Sequence, residues 1–159
     1  MAVSYIDGTL EQAELKRAPL NLRIYKQLTF RLRDGRERTI LKAIVDAKVA
    51  ALLEPGVSGR FYLFTAPDHR GVHGIRDDRG RAVFAFPRNN ERAMLIVSIM
   101  GIVLLGATLA MDMLSGWALI TIALGVPFYI IFRSTRIAAE RQFEADGGYT
   151  PPVPSTDPN

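Results

Sequence analysis

The sequence predicts an α+β membrane protein in which a small N-terminal β-barrel is followed by a two-helix transmembrane hairpin. Three observations carry the prediction. Positions 93 to 132 hold a single charge, Asp112. The stretch before them alternates apolar and polar residues with the period of a strand, and turn residues punctuate it at short intervals. Each half of the apolar region, about 93–111 and 114–132, approaches the roughly 20 residues a helix needs to cross a bilayer, where only a helix satisfies its own backbone. A buried soluble hairpin is the competing reading, but soluble helices rarely stay apolar on every face for so long.

Within the N-terminal part, a first strand is expected between Val3 and Leu15. The clearest segment follows: Leu22, Ile24, Leu28, Phe30 and Leu32 alternate with Arg23, Tyr25, Gln27, Thr29, Arg31 and Arg33, with Lys26 as the one exception. Asp34-Gly35 is a strong hairpin signal, and Arg36 to Val45 supplies the returning strand. A two-residue turn would set Arg33 against Arg36, Arg31 against Arg38, Leu28 against Leu41 and Ile24 against Val45. Asp46 to Glu54 reads as a short helix capped by Asp46 and stopped by Pro55-Gly56. Gly59 to Ala66 is an aromatic-rich strand, and Val72 to Ile75 with Ala82 to Phe86 forms a second hairpin around Asp77 to Gly80. Phe61, Tyr62, Phe64, Phe84 and Phe86 read as core residues. This order, with a helix between the third and fourth strands, resembles a small OB-like Greek-key barrel. An SH3-like barrel or PH-like roll fits the same segments.

The expected domains are a basic cytoplasmic barrel over 1–90, a transmembrane hairpin over 91–133, a cytoplasmic helical extension over 134–146 and a disordered Pro-rich tail over 147–159. Up to Arg92 the chain holds seventeen Lys and Arg against eleven Asp and Glu, so its net charge of +6 exceeds the +4 of the whole. Absence of cysteine excludes disulfides and thiolate metal sites and suits a reducing compartment. Met1 to Gln12 has no apolar run, so no export signal is expected.

Arg81, Arg88 and Arg92 precede the first apolar helix and Arg133, Arg136 and Arg141 follow the second, while the connecting turn has neither Lys nor Arg. By the positive-inside rule the chain is a two-pass bacterial inner-membrane protein with both termini cytoplasmic. Arg88, Arg92, Trp117, Tyr129, Arg133 and Arg136 are the expected interface anchors. Two small-residue pairs, Gly106 with Ala110 and Thr121 with Gly125, allow close helix approach, within the hairpin or in a homo-oligomer. Pro127 is expected to bend the second helix.

The expected hairpin register gathers Arg31, Arg33, Arg36, Arg38, Lys42 and Tyr25 on one exposed face, a candidate surface for an anionic ligand. Acids nearby would make it an ordinary solvated edge instead. Chemistry is less legible. His69 and His73 flank glycines, which oppose the helix that would bring them onto one metal, with an Asp68 oxygen as a third ligand. Ser58 is not in a nucleophile elbow, and no phosphate loop occurs. No catalytic residue, metal or cofactor is therefore expected. The expected function is that of a membrane accessory or scaffold protein whose cytoplasmic domain binds a protein partner or the anionic leaflet. The alternative is a membrane-tethered nucleic-acid-binding protein of OB-like fold.

Overall fold

The computed structural model describes residues 2–66 and 69–149, so the expected tail beyond Tyr149 and Asp68, weighed above beside His69 and His73, lie outside the described residues. Among them the elements run β1 (Ala2–Arg17), β2 (Leu22–Leu32), β3 (Glu37–Asp46), α1 (Ala47–Ala50), β4 (Ser58–Thr65), β5 (Arg70–Asp77), β6 (Ala82–Phe84), α2 (Asn89–Leu109) and α3 (Gly116–Ala145). A closed five-stranded β-barrel is followed by two long apolar helices. The chain divides into two units, residues 2–87 with 139–149, and residues 88–138.

The barrel closes because β1 is long enough to serve two partners. Its first half, Ala2 to Thr9, pairs antiparallel with β4, and Gly8 to Arg17 pairs antiparallel with β2. Gly8 belongs to both ladders, and a Cβ there would stand 2.2 Å from the Arg31 carbonyl oxygen. Around the ring β2 pairs with β3, β4 with β5, and β3 with β5 in parallel, while β6 extends β5 on its free side. The parallel seam is short: Ala43 opposes Arg70, Ile44 opposes Gly71 and Val45 opposes Val72.

Inward-facing residues fill the ring. Ile6 and Leu10 of β1, Leu28 and Phe30 of β2, Ile40, Ala43 and Val45 of β3, Phe61 and Leu63 of β4, and Val72 and Ile75 of β5 form one core. Phe30 and Phe61 pack with ring centroids 4.8 Å apart. Asp46 caps α1 by accepting from the Lys48 backbone N–H at 2.9 Å, and Val49 and Leu53 enter the same core. The short helix is thus held by burial more than by propensity.

The β2–β3 register is one residue away from the expected one. Leu32 N–H donates to the Arg36 carbonyl at 2.8 Å and Gly35 N–H to the Leu32 carbonyl at 3.0 Å, with Gly35 at φ 82°. The connection therefore holds three residues, Arg33, Asp34 and Gly35, with glycine in the left-handed position, a common hairpin form. Leu28 opposes Ile40, Phe30 opposes Arg38 and Arg31 opposes Glu37. The slip does not turn β3 inside out, because alternation itself changes at Lys42, which sits at φ 54° between exposed Leu41 and buried Ala43.

Closure of the seam depends on Gly71, since a Cβ there would stand 1.7 Å from the Ile44 carbonyl oxygen and 2.9 Å from the Phe64 ring. Gly71→Ala should part β3 from β5 at a cost of at least about 2 kcal/mol, lowering the thermal midpoint of the barrel by roughly 8 °C or more. An unchanged midpoint would contradict the closed ring.

Candidate functional site

The six residues expected on one anionic-ligand face are dispersed. Tyr25 is 6% exposed, part of the core rather than of the surface, and burial pushes its phenol pKa up. Arg31 reaches across to Glu11 of β1 at 2.5 Å. Arg36 pairs with Asp34 at 2.5 Å inside the turn, and its hydrogen bonds hold the Asp34 carboxyl below the usual range. Arg33 donates to the Tyr149 hydroxyl at 3.0 Å. Glu37 stands opposite Arg31, where the expected register had set Arg38. Exposed ion pairs of this kind add little stability, but they neutralise the charge that a ligand would need.

Arg38 has a different setting. Directly opposed residues of an antiparallel pair share a face, and Phe30 faces the core, so Arg38 lies on the inward side of β3 where the strand leaves the seam. Arg70 opposes Thr65 across β4 and β5 and stands two residues before the core residue Val72, which puts it on the inward side of β5. Ser4 opposes Leu63 in the same way. Arg38, Arg70, Ser4, Thr39 and Thr65 line a cavity of about 160 Å³ whose apolar wall includes Ile40 and Leu63. It opens where Glu37 to Lys42 have no β5 partner. Neither arginine side chain has an ion pair or hydrogen bond among the described residues, and both are exposed. A second cavity, about 190 Å³, borders the β5–β6 turn, but its Asp77 already accepts from Arg79 N–H, Arg81 N–H and Arg81 Nε at 3.1, 2.8 and 2.6 Å.

The outer face of the barrel carries a second apolar layer. Tyr62 and Phe64 alternate with Phe61 and Leu63 along β4, so this strand is buried on both sides. Phe143 covers the outer side, with its ring 5.0 Å from Tyr62 and 5.4 Å from Phe84. Gly74 leaves room for it, as a Cβ there would stand 2.8 Å from the Phe143 ring. Arg76 stacks 4.2 Å over that ring and donates to the Phe143 carbonyl at 2.9 Å. The Tyr62 hydroxyl donates to Asp146 at 3.0 Å, and burial followed by that carboxylate raises its pKa. Residues 139–146, expected as part of a separate extension, thus belong to the barrel unit.

His73 lies under this layer with no exposed surface, its ring 5.7 to 6.1 Å from those of Tyr62, Phe64, Phe84 and Phe86. Neither ring nitrogen has a hydrogen bond of good geometry. Desolvation pushes its pKa down to about 4, only slightly offset by the Ala139 backbone. His69 sets its ring edge-on to Phe64 at 5.4 Å. Among the described residues no three His, Cys, Asp or Glu side chains come together as a metal would require.

The helical unit is joined by small residues. A Cβ on Gly101 would stand 2.9 Å from Ile122 Cγ1, and one on Gly125 would stand 2.7 Å from Ser98 Oγ. Of the expected small pairs, Gly125 lines this contact, whereas Gly106 has open space around its Cβ position and Ala110 is exposed. Glu91 at the start of α2 receives Arg136 of α3 at 2.9 Å. Among the expected anchors, Trp117 is 76% exposed, Arg133 donates to the Tyr129 hydroxyl at 2.9 Å, and Arg88 and Arg92 are exposed. Only 11% of each apolar span is buried.

No family model, curated protein or solved structure matches this chain.

The buried imidazole yields a pH dependence. The unfolded chain takes up a proton near pH 6.5 and the folded one only near 4, so folding stability falls as pH drops through that window, by about 3 kcal/mol in full. His73→Leu should flatten the fall in thermal midpoint between pH 6.5 and 5, above the range in which most carboxylates titrate. An equal fall in the variant would contradict the assignment.

Proposed function

We propose that this chain is an integral membrane accessory or scaffold protein of the bacterial inner membrane, in which an OB-like barrel acts by binding rather than by catalysis. Exposure of the helical unit is the observation that carries the reading: Leu95, Ile96, Ile99, Met100, Ile102 and Val103 of α2 and Leu119, Ile120, Leu124, Phe128, Ile130 and Ile131 of α3 are all open to the surroundings. A soluble protein would cover so continuous an apolar surface, and lipid does so without further cost. The ring order β1-β2-β3-β5-β4, with α1 between β3 and β4, supports the OB-like reading.

Orientation follows from two independent arguments. Residues on either side of the helix pair pack into one unit, which supports both flanks lying on the same side of the bilayer with an even number of crossings. Arginines sit at those flanks and none at the turn between α2 and α3, which favours the cytoplasmic side.

The barrel's partner is a protein or the anionic leaflet. Nucleic acid is the less favoured ligand, because single-strand binders offer aromatic platforms beside basic grooves, whereas Tyr25, Phe61, Tyr62 and Phe64 are buried and Arg31 and Arg36 are ion-paired.

The chain has no cysteine, so single substitutions report topology without background. In a bacterial host, Met113→Cys should react with a membrane-impermeant maleimide in intact cells. Arg79→Cys should react only after permeabilisation, and the protein should stay with membranes after alkaline extraction. Recovery in the soluble fraction, or the opposite labelling pattern, would overturn the reading.

A further inference from the structure

The geometry points to the opening between β3 and β5 as a binding site for a phosphate-type oxyanion, held between Arg38 and Arg70. Mouths of β-barrels are common ligand positions because the ring leaves a concave rim above a packed floor. Here the rim carries two guanidinium groups on the inward sides of two strands that have parted. Both arginines remain open to solvent at the rim, so an anion can reach them without any rearrangement of the core. Among the described residues no carboxylate lines the cavity.

The remaining lining chemistry selects the class of ligand. Ser4, Thr39 and Thr65 bring hydroxyls, which donate to anionic oxygens as readily as they accept. Arginine presents a planar fork that matches a phosphoryl or carboxylate group, and two forks with three hydroxyls suit a centre with three or four oxygens. The cavity of about 160 Å³ admits a compact headgroup or free anion and not a folded chain. Its floor of Ile40 and Leu63 is fixed by the core, so the site is formed before the ligand arrives. Arg33, Arg36 and Arg31 lack this character, being engaged by Tyr149, Asp34 and Glu11.

This assignment rests on the barrel's being a binding module but not on the identity of its larger partner. A chain that keeps its membrane location and has no anion affinity would overturn the site and leave the anchor reading standing.

The test uses the full chain in phosphatidylcholine nanodiscs, titrated with inorganic phosphate against chloride at matched ionic strength and read by thermal midpoint. Arg38→Gln, Arg70→Gln and, as a control outside the cavity, Lys42→Gln are compared in the same discs and in discs containing phosphatidylglycerol. Phosphate should raise the midpoint of the wild type, and each arginine variant should weaken the apparent affinity about tenfold or more, with Lys42→Gln within about twofold. A response equal in both disc types assigns a free anion. A phosphatidylglycerol-dependent rise that Arg38→Gln and Arg70→Gln abolish assigns a lipid headgroup. Absence of both responses, or responses that survive Arg38→Gln and Arg70→Gln, would overturn the proposal.

Discussion

Arg60 is the residue on which the barrel unit turns. Its Nε and Nη2 donate to the two carboxylate oxygens of Asp7 on β1 at 2.7 and 2.8 Å, and its Nη1 donates to Asp146 at 3.1 Å. The guanidinium lies 4.0 Å from the centre of the Tyr5 ring and 4.5 Å from that of Tyr149. With 18% of its side chain exposed, the pair is shielded from screening, and the hydrogen bonds to Asp7 and then Asp146 hold its charge more firmly than usual. One side chain therefore ties the first half of β1, the first half of β4 and the segment beyond α3.

That tie explains why β4 can be buried on both faces. A strand in a small barrel ordinarily faces solvent on its outer side, and Tyr62 and Phe64 would be an exposed patch without Phe143. The Tyr62 hydroxyl and Arg76 guanidinium fix the covering segment by its Asp146 carboxylate and Phe143 carbonyl, so the apolar layer is edged by specific polar contacts. His73 can remain neutral and unpaired because the layer excludes water from it. The segment that follows the helix pair thus completes the domain that precedes it.

Much of this was legible from the amino-acid order. The strands, the Asp46-capped turn of helix and the two apolar helices follow from period and punctuation, which are local signals. The register was not. Asp34-Gly35 announces a turn but does not say whether glycine is the second or third residue of the loop, and one residue of difference moved Arg38 from opposite Arg31 to opposite Phe30. Tyr25 was misplaced because alternation reverses at Lys42, whose left-handed backbone has no signature in a lysine. Partners such as Glu11 for Arg31 are separated by twenty residues and set by the bulged β1–β2 ladder. The outer layer was hidden for the same reason: Gly74 and Phe143 read as a strand glycine and a helix aromatic until the fold brings one into the space left by the other.

The completion of the barrel by its own distal segment is tested most directly by hydrogen exchange on the full chain in detergent, comparing wild type with Phe143→Ala. Loss of the covering ring should speed exchange in β4, β5 and β6 and leave the β1–β2 ladder near its wild-type protection. Equal protection of β4 to β6 in both proteins would contradict the account.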